Sequence, residues 1–394
     1  MSQIQGTYQV DFSRPIHVYF IGIGGISMSG LAEILLSEGF TVSGSDWSRT
    51  PLTERLESQG AAVHYGRPQK AENIEDDVEL VVYTAAVHPD NPEYQETLRR
   101  QLPHLTRAQL LGQMMKNYRL PVAVSGTHGK TTTTSMIAEI LVAADTDPTI
   151  SVGGVLKDIG GNIRVGSSEL FVTEACEYTN SFLSFFPRIG IILNVEEDHL
   201  DFFKDLDDIR SSFRRFAQLI PKDGLLIING SIPRLSEITE GLSCRVVTFG
   251  PSPENDYFFT DITHDDMARA SFTLRFHEKD LPVRLGVPGE HNIANAAAAL
   301  ALADYLGLDM EGAAESLHGF TGTDRRFEYK GELHGVTVID DYAHHPTEIE
   351  ATLKAAADYP HRTLWCVFQP HTYSRTKAFF HDFARALSHA DRVI

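Results

Sequence analysis

A short apolar strand that runs directly into a glycine turn, a lysine and a threonine limits what this chain can fold into more than any other segment. Residues Pro121-Val-Ala-Val-Ser-Gly-Thr-His-Gly-Lys-Thr131, followed by Thr132 to Thr134 and a helical pattern, read as strand, loop and helix. Gly126 and Gly129 let the backbone turn its N–H groups toward an anion, Lys130 adds a point charge for the outer phosphates, and the Thr131 hydroxyl can ligate Mg²⁺. With Thr127, His128 and Thr132 the segment forms a cradle whose expected ligand is a nucleoside triphosphate. Two residues separate Gly126 from Gly129, where the common loop has four, and Val124 stands where its first glycine belongs. The bland alternative is a glycine turn with a chance lysine. A strand before, a helix after and a threonine behind the lysine argue against it.

A length of 394 residues predicts two or three domains with cores of their own. The formal charge of −19 excludes a general nucleic-acid or anionic-membrane binder, so an anionic ligand must be captured by local Lys, Arg and N–H groups. Cys176, Cys244 and Cys366 lie far apart without Cys-x-x-Cys spacing, and Met1-Ser-Gln-Ile opens no basic and apolar leader. No apolar run approaches the roughly 20 residues that cross a bilayer. A reduced, cytoplasmic protein is expected, as a monomer or homodimer.

Three blocks follow one another along the chain. The first opens with a strand from His17, the turn Gly22-Ile-Gly-Gly25 and a helix through Gly30, a Rossmann-like unit. A second strand, Thr41 to Asp46, ends in an acid that in a dinucleotide site reaches a ribose hydroxyl. The strand from Glu79 to Ala86 should end in the same crevice. Because Ser27 stands where Gly-x-Gly-x-x-Gly needs its last glycine, the turn is weak support for a nicotinamide cofactor, and a turn needing glycine for packing alone is the alternative.

The second block continues from the phosphate loop through strands Glu169–Glu174 and Ile189–Asn194, each ending in polar residues. Parallel strands deliver such residues to one edge. Glu174 and the Asn194 to His199 segment should therefore converge on the loop, offering hard oxygens and an imidazole to a metal ion on the triphosphate. For His199 a metal role and a satisfied structural role stand side by side, since Mg²⁺ prefers oxygen. Glu177, Glu197, Asp198 and Asp201 read as solvated acids or as partners behind the ligands, and Cys176 as a small buried residue. Asn292 and Asn295, three apart at the start of an Ala-rich helix, can face an adenine edge or cap the helix.

The third block follows Gly322-Thr-Asp-Arg-Arg326. Its strand Val336 to Asp341 runs into Tyr342-Ala-His-His-Pro-Thr-Glu348, which places His344 and His345 at a helix N-terminus that favours an anion. A further strand, Leu364 to Gln369, ends near Arg375. Arg325 and Arg326 are surface residues or a clamp on a γ-phosphate from across a domain junction.

Taken together, Gly22-Ile-Gly-Gly-Ile-Ser-Met-Ser-Gly30, Gly126-Thr-His-Gly-Lys-Thr-Thr132, Glu174-Ala-Cys-Glu177, Asn194 to His199, Glu290-His-Asn-Ile-Ala-Asn295, Arg325-Arg326, Asp340 to Glu348 and Phe368-Gln-Pro-His371 resemble the Mur ligase family, in family order and over essentially the whole chain. The resemblance implies an α/β fold of three domains: a Rossmann-like UDP-sugar domain at 1–116, a central P-loop ATPase domain at 117–324 and a Rossmann-like amino-acid domain at 325–394. It implies Lys130, Thr131, Asn292, Asn295, Arg326 and Asp341 for ATP, and Thr131, Glu174 and His199 for Mg²⁺. Gly22, Gly24, Gly25, Ser45, Asp46 and Thr84 are assigned to the UDP-sugar by the same likeness, and Lys130, His344, His345 and Arg375 to the reacting groups. The implied reaction is an ADP-forming ligation in which the lactyl carboxylate of UDP-N-acetylmuramate is phosphorylated by ATP and then taken by the amine of L-alanine. Either histidine can serve as base or as a positioning group.

The chain also departs from the pattern. Cys176-Glu-Tyr-Thr179 replaces an Asp-Glu-Ser-Asp common in relatives, and Thr372 stands where others carry a second arginine, which leaves the amino-acid carboxylate to Arg375. The sequence stops at Ile394 as another strand begins, so an incomplete third domain and poor ligation are expected. The rivals are a nicotinamide-dependent dehydrogenase, a non-catalytic nucleotide-binding protein, and the related ligase that attaches a recovered peptide to the same UDP-sugar.

Overall fold

The computed structural model describes residues 8–84, 86–156 and 159–394, so Ala85 of the expected strand Glu79–Ala86 lies outside the described residues. The first domain is a five-stranded parallel sheet in the order Ala62–Tyr65, Thr41–Asp46, His17–Ile21, Leu80–Tyr83, His104–Thr106. His17–Ile21 is central, and the strand order reverses beside it. A doubly wound sheet binds its ligand at that point.

Among the described residues the central sheet has ten strands, in the order Lys279–Pro288, Arg269–Phe276, Tyr257–His264, Arg245–Gly250, Leu225–Asn229, Ile189–Ile192, Leu120–Ser125, Leu170–Ala175, Thr149–Leu156, Gly161–Arg164. Its middle strands are parallel and read as unbroken apolar runs such as Leu225-Leu-Ile-Ile228, as expected of strands buried on both faces. Helices Lys130–Ala143, His291–Tyr305 and Met310–Gly319 cover one face. The Ala-rich helix His291–Tyr305 is buried almost all round, because small side chains let it lie close to its neighbours.

The first and central domains share one apolar core. Val18, Phe20 and Leu31 belong to the same cluster as Phe171, Phe182 and Phe213. Gly30 faces Ile163, where a Cβ would approach the Ile163 Cδ1 to 2.7 Å, and Asn162 Nδ2 donates to Ile26 O at 2.9 Å. Gly30, in the helix Ile26–Ser37 that follows the turn, thus serves domain packing.

The third domain has a small core of its own, Ile349, Leu353, Phe379, Phe383 and Ala386, around the helices Pro346–Ala357 and Phe380–Leu387. Glu328–Leu333 pairs antiparallel with Val336–Asp340, and Trp365–Cys366 pairs parallel with Arg392–Val393. The expected strand Leu364–Gln369 is therefore much shorter than its apolar run. Among the described residues, no helix is long and apolar enough to cross a membrane.

Candidate active site

The strand Leu120–Ser125 lies between Leu170–Ala175 and Ile189–Ile192 and delivers the phosphate loop to the carboxyl edge of the sheet. Gly126 has φ +145° and Gly129 φ +83°, backbone that side-chain-bearing residues rarely adopt. A Cβ on Gly129 would stand 2.7 Å from Asn295 Oδ1. Asn194 clamps the loop from below, accepting from His128 N at 2.8 Å and donating to His128 O at 3.1 Å. The Thr127 hydroxyl is occupied by the same segment, accepting from Glu196 N at 3.0 Å.

The helix Lys130–Ala143 starts without a side-chain cap and without an acid in its first turn. Its first N–H groups and its dipole are left to an anion. Lys130 Nζ donates to the carbonyls of Gly126 and Thr127 and to Glu177 Oε2, the last at 3.0 Å. Burial opposes the charge on Lys130, but the Glu177 carboxylate overrides it and raises the ammonium above its ordinary value. Glu177 and Asp198 are buried, at 2% and 5% exposure, so neither is a solvated acid. Glu197 and Asp201 are exposed, as such acids should be. Burial also pushes the Cys176 thiol up, which suits a packing residue better than a nucleophile.

The expected metal ligands fall in two places. Thr131 Oγ1 lies 3.1 Å from Glu174 Oε2, and Glu174 Oε1 accepts from Gly153 N. His199 sits beyond Lys130, its Nε2 3.8 Å from Glu177 Oε1 and 3.6 Å from Asp198 Oδ2. The Tyr178 ring stacks on the His199 imidazole at 4.3 Å and donates its hydroxyl to Asp201 at 2.8 Å. Among the described residues no three His, Cys, Asp or Glu side chains converge as a metal cage. The donors present still fit a hard cation, which takes one or two protein oxygens and completes its shell with phosphate and water. Glu177 Oε1, buried without a hydrogen-bond partner, adds a carboxylate oxygen beside them.

Two cavities flank this cluster. One, of about 310 Å³, is walled by Gly129, Thr132, Asn292, Asn295, Arg326 and Asp341, with Glu348 at the third-domain side. Asn295 Nδ2 donates to Asn292 Oδ1 at 3.0 Å, and Asn292 Nδ2 to Pro288 O at 2.7 Å, so the pair is pre-set in the wall. Asp341 is already engaged, accepting from Phe327 N and Ala343 N, both at 2.7 Å. The other cavity, of about 360 Å³, is walled by Tyr178, Asp198, His199, Tyr342, His344 and Arg375. Arg375 Nε and Nη2 reach Asp198 at 3.1 and 3.4 Å, a fork that ties the third domain to the central one.

His344 and His345 differ in setting. His344 Nδ1 lies 2.8 Å from Tyr342 O, which makes Nδ1 the protonated nitrogen and leaves Nε2 basic. His345 is 4% exposed and caps the helix Pro346–Ala357, accepting from Thr347 N. Burial, helped by His128, pushes the His345 pKa down to about 4.

In the first domain Gly24 N donates to Asp46 Oδ2 at 2.8 Å and Trp47 N to Asp46 Oδ1 at 2.7 Å. Asp46 therefore closes the Gly22 to Gly25 turn, with both oxygens on backbone. Ser45 is fully buried and its hydroxyl donates to Glu93 at 2.6 Å, so the expectation that it faces a ligand is corrected: it braces the turn from behind. Thr84, half-buried at a strand end, accepts from Ala86 N at 3.2 Å. The sequence had not singled out Glu93, and it gave no role to Glu348, which reaches His128 across the domain junction at 3.1 Å; it brought the Asn194 segment to the loop without showing that Asn194 clamps it. A Pro-Thr-Glu helix start marks Glu348 as a first-turn acid, but nothing local signals its distant partner.

Comparison with known proteins identifies the family. The chain matches the model for the Mur ligase family catalytic domain over residues 17–119, the Mur ligase middle domain over 124–303, and the Mur ligase glutamate ligase domain over 325–394. It is 59% identical to a UDP-N-acetylmuramate–L-alanine ligase of Agathobacter rectalis and 58% identical to one of Lachnospira eligens, in each case over 98% of this chain and 84% of the relative. Among solved structures, the UDP-N-acetylmuramate-alanine ligase MurC of Thermotoga maritima superposes with a TM-score of 0.80 at 33% identity, covering 96% of this chain and 84% of that one. A murein peptide ligase of Psychrobacter arcticus gives 0.77 at 28%, with the same coverage. With the three family models matched in order and relatives this similar spanning nearly all of it, the chain belongs to the Mur ligase family.

Proposed function

We propose that this chain joins L-alanine to the lactyl carboxylate of UDP-N-acetylmuramate at the expense of ATP, in peptidoglycan precursor synthesis. One observation supports this above the others: the phosphate loop lines one cavity, Asp198 and His199 of the same domain line a second, and the third domain lines both. A loop that only hydrolysed a nucleotide needs no second cavity with an imidazole and a guanidinium.

In this reading ATP lies in the 310 Å³ cavity, its adenine edge against Asn292 and Asn295 and its phosphates on the loop from Gly126 to Thr132. A lactyl carboxylate oxygen attacks the γ-phosphorus, the bond to ADP breaks, and an acyl phosphate results. Lys130 and, from the far wall, Arg326 offset the charge on the transferring group. Thr131 and Glu174, with His199 beyond Glu177, would hold Mg²⁺, which when bound neutralises phosphate charge. The UDP moiety lies along the first-domain turn at Gly22 to Gly25.

The amine of L-alanine then attacks the acyl carbon and inorganic phosphate leaves. The ammonium must first lose a proton, and His344 suits the task better than His345: it lines the second cavity and its Nε2 is the basic nitrogen. His345 is buried and serves as a helix cap. Arg375 keeps Nη1 for the amino-acid carboxylate while Nε and Nη2 hold Asp198.

The deciding measurement is phosphate release with ATP and UDP-N-acetylmuramate, comparing L-alanine with L-Ala-γ-D-Glu-diaminopimelate. L-alanine should drive turnover and the peptide should not. The opposite preference would assign the chain to the peptide-attaching ligases.

A further inference from the structure

We propose that Glu348 is a positioning residue that ties the phosphate loop to the turn bearing His344, and so keeps the phosphorylated carboxylate in register with the incoming amine; the inference rests on the ligase reading above. Glu348 lies in the first turn of the helix Pro346–Ala357, where the helix dipole favours an acid. The dipole accounts for a carboxylate at this position, but not for the direction of its two oxygens.

Oε1 lies 3.1 Å from His128 Nδ1, in the phosphate loop 220 residues away. Oε2 accepts from His344 N at 3.0 Å and lies 3.4 Å from His344 Nδ1. One carboxylate thus spans two domains, with the His128 and Glu348 side chains only 12% and 15% exposed. Contact with His128 and His344 outweighs burial and holds the carboxyl well below the usual range, so the bridge is ionised.

Both ends of the bridge are fixed independently. Asn194 clamps the His128 backbone on both sides, and the His128 ring packs against His345 at 4.8 Å. At the other end, the His344 imidazole is held on Tyr342 O. Glu348 borders the cavity assigned to ATP, whereas His344 borders the cavity with Arg375. The carboxylate lies in the wall between them, and its two contacts set the spacing between loop and base. Reacting groups displaced by about 1 Å can lose about 100-fold in rate.

The test uses the whole chain as wild type, Glu348→Ala, Glu348→Gln, His128→Ala and the Glu348→Ala/His128→Ala double variant. Amide formed, phosphate released and thermal unfolding are measured on each. Glu348→Ala should lower kcat about 100-fold with the KM for ATP moved less than about 3-fold. It should also release more phosphate per amide, because an acyl phosphate out of reach of the amine is hydrolysed back to carboxylate and phosphate. Glu348→Gln keeps an acceptor for His344 N and should recover to within about 10-fold of wild type. His128→Ala should cost clearly less on the Glu348→Ala background than on the wild type, since the contact is already gone and only the part His128 plays in the loop by itself is left to lose.

Multiplicative losses in the double variant would overturn the link. So would an unchanged phosphate-to-amide ratio with only a lowered melting temperature, which is what a helix-stabilising role predicts. If the wild type forms no amide with L-alanine, the ligase reading fails by itself. The coupling of His128 to Glu348 is then read from the melting temperatures of the same proteins, where additivity would sink it.

Discussion

The two glycine turns, Gly22 to Gly25 and Gly126 to Gly129, follow the same kind of buried parallel strand and open the same kind of uncapped helix, yet they are filled differently. In the first turn a backbone N–H is taken by the protein's own acid, Asp46. The second is filled by the protein's own base, Lys130, lying across its carbonyls and against Glu177. Neither helix carries an acid in its first turn, so both leave the dipole to an anion. A strand, a glycine turn and a helix specify that an anion can approach; the side chain in the turn decides whether it is only held or also reacts.

Removing Lys130 should break this comparison most visibly. Lys130→Ala should lower amide formation by about 1,000-fold or more, since the transferring phosphoryl group loses its nearest fixed cation. Binding of UDP-N-acetylmuramate, measured by titration, should stay within about 2-fold of wild type. Near-normal turnover would make the second turn as passive as the first.

Acid should act next, and on the second turn. His345 packs against His128 and is neutral in the fold, with its pKa pushed down to about 4 from 6.5. A depressed histidine contributes stability above its unfolded value near 6.5, and that contribution is lost as pH falls toward 4, because the unfolded chain binds the proton first. The full shift corresponds to an amount on the order of 3 kcal/mol. Melting temperature and ATP affinity should therefore decline together from pH 6.5 to 5, and His345→Asn should make the decline shallower without abolishing it, since burial pushes His291 of the ATP cavity down to about 4 as well. A UDP-sugar affinity that fell in parallel would show that acid does not distinguish the turns.

Much of this architecture was legible in the sequence because it is local. The strands His17–Ile21, Thr41–Asp46 and Leu120–Ser125 and the loop glycines carry their own periodicity and turn chemistry, and they lie where the pattern put them. The nicotinamide reading of the first turn gives way to the Mur ligase match over the same residues, and Asp46 spends one acceptor site of each oxygen on closing the turn. Ser45 was assigned to the ligand by likeness alone, and a likeness does not reveal that a buried acid, Glu93, stands behind it and takes its hydroxyl. The links His128–Glu348 and Asp198–Arg375 span 220 and 177 residues and depend on how domains dock. No hydrophobic period encodes them.

Gly129→Ala tests whether the second turn depends on its backbone as well as on its lysine. The residue sits at φ +83°, and the added Cβ would meet Asn295 Oδ1 at 2.7 Å. Strain of about 1–3 kcal/mol should raise the KM for ATP by roughly 10- to 100-fold, and UDP-sugar affinity should not move.

The smallest expected effect is in the first turn. Asp46→Asn keeps the shape of the side chain but removes the charge from an acceptor of two backbone N–H groups. Hydrogen bonds to a charged group contribute about 1.5–3 kcal/mol, and an amide retains one acceptor oxygen, so UDP-sugar affinity should weaken by about 10-fold. ATP affinity and the phosphate-to-amide ratio should stay at wild-type values, because Asp46 has no part in the loop that holds Lys130. Tighter UDP-sugar binding is the outcome that would recast the turn. It would mean that the Asp46 carboxylate competes with the diphosphate for Gly24 N, so that the first turn, like the second, is held closed by its own side chain until a ligand displaces it.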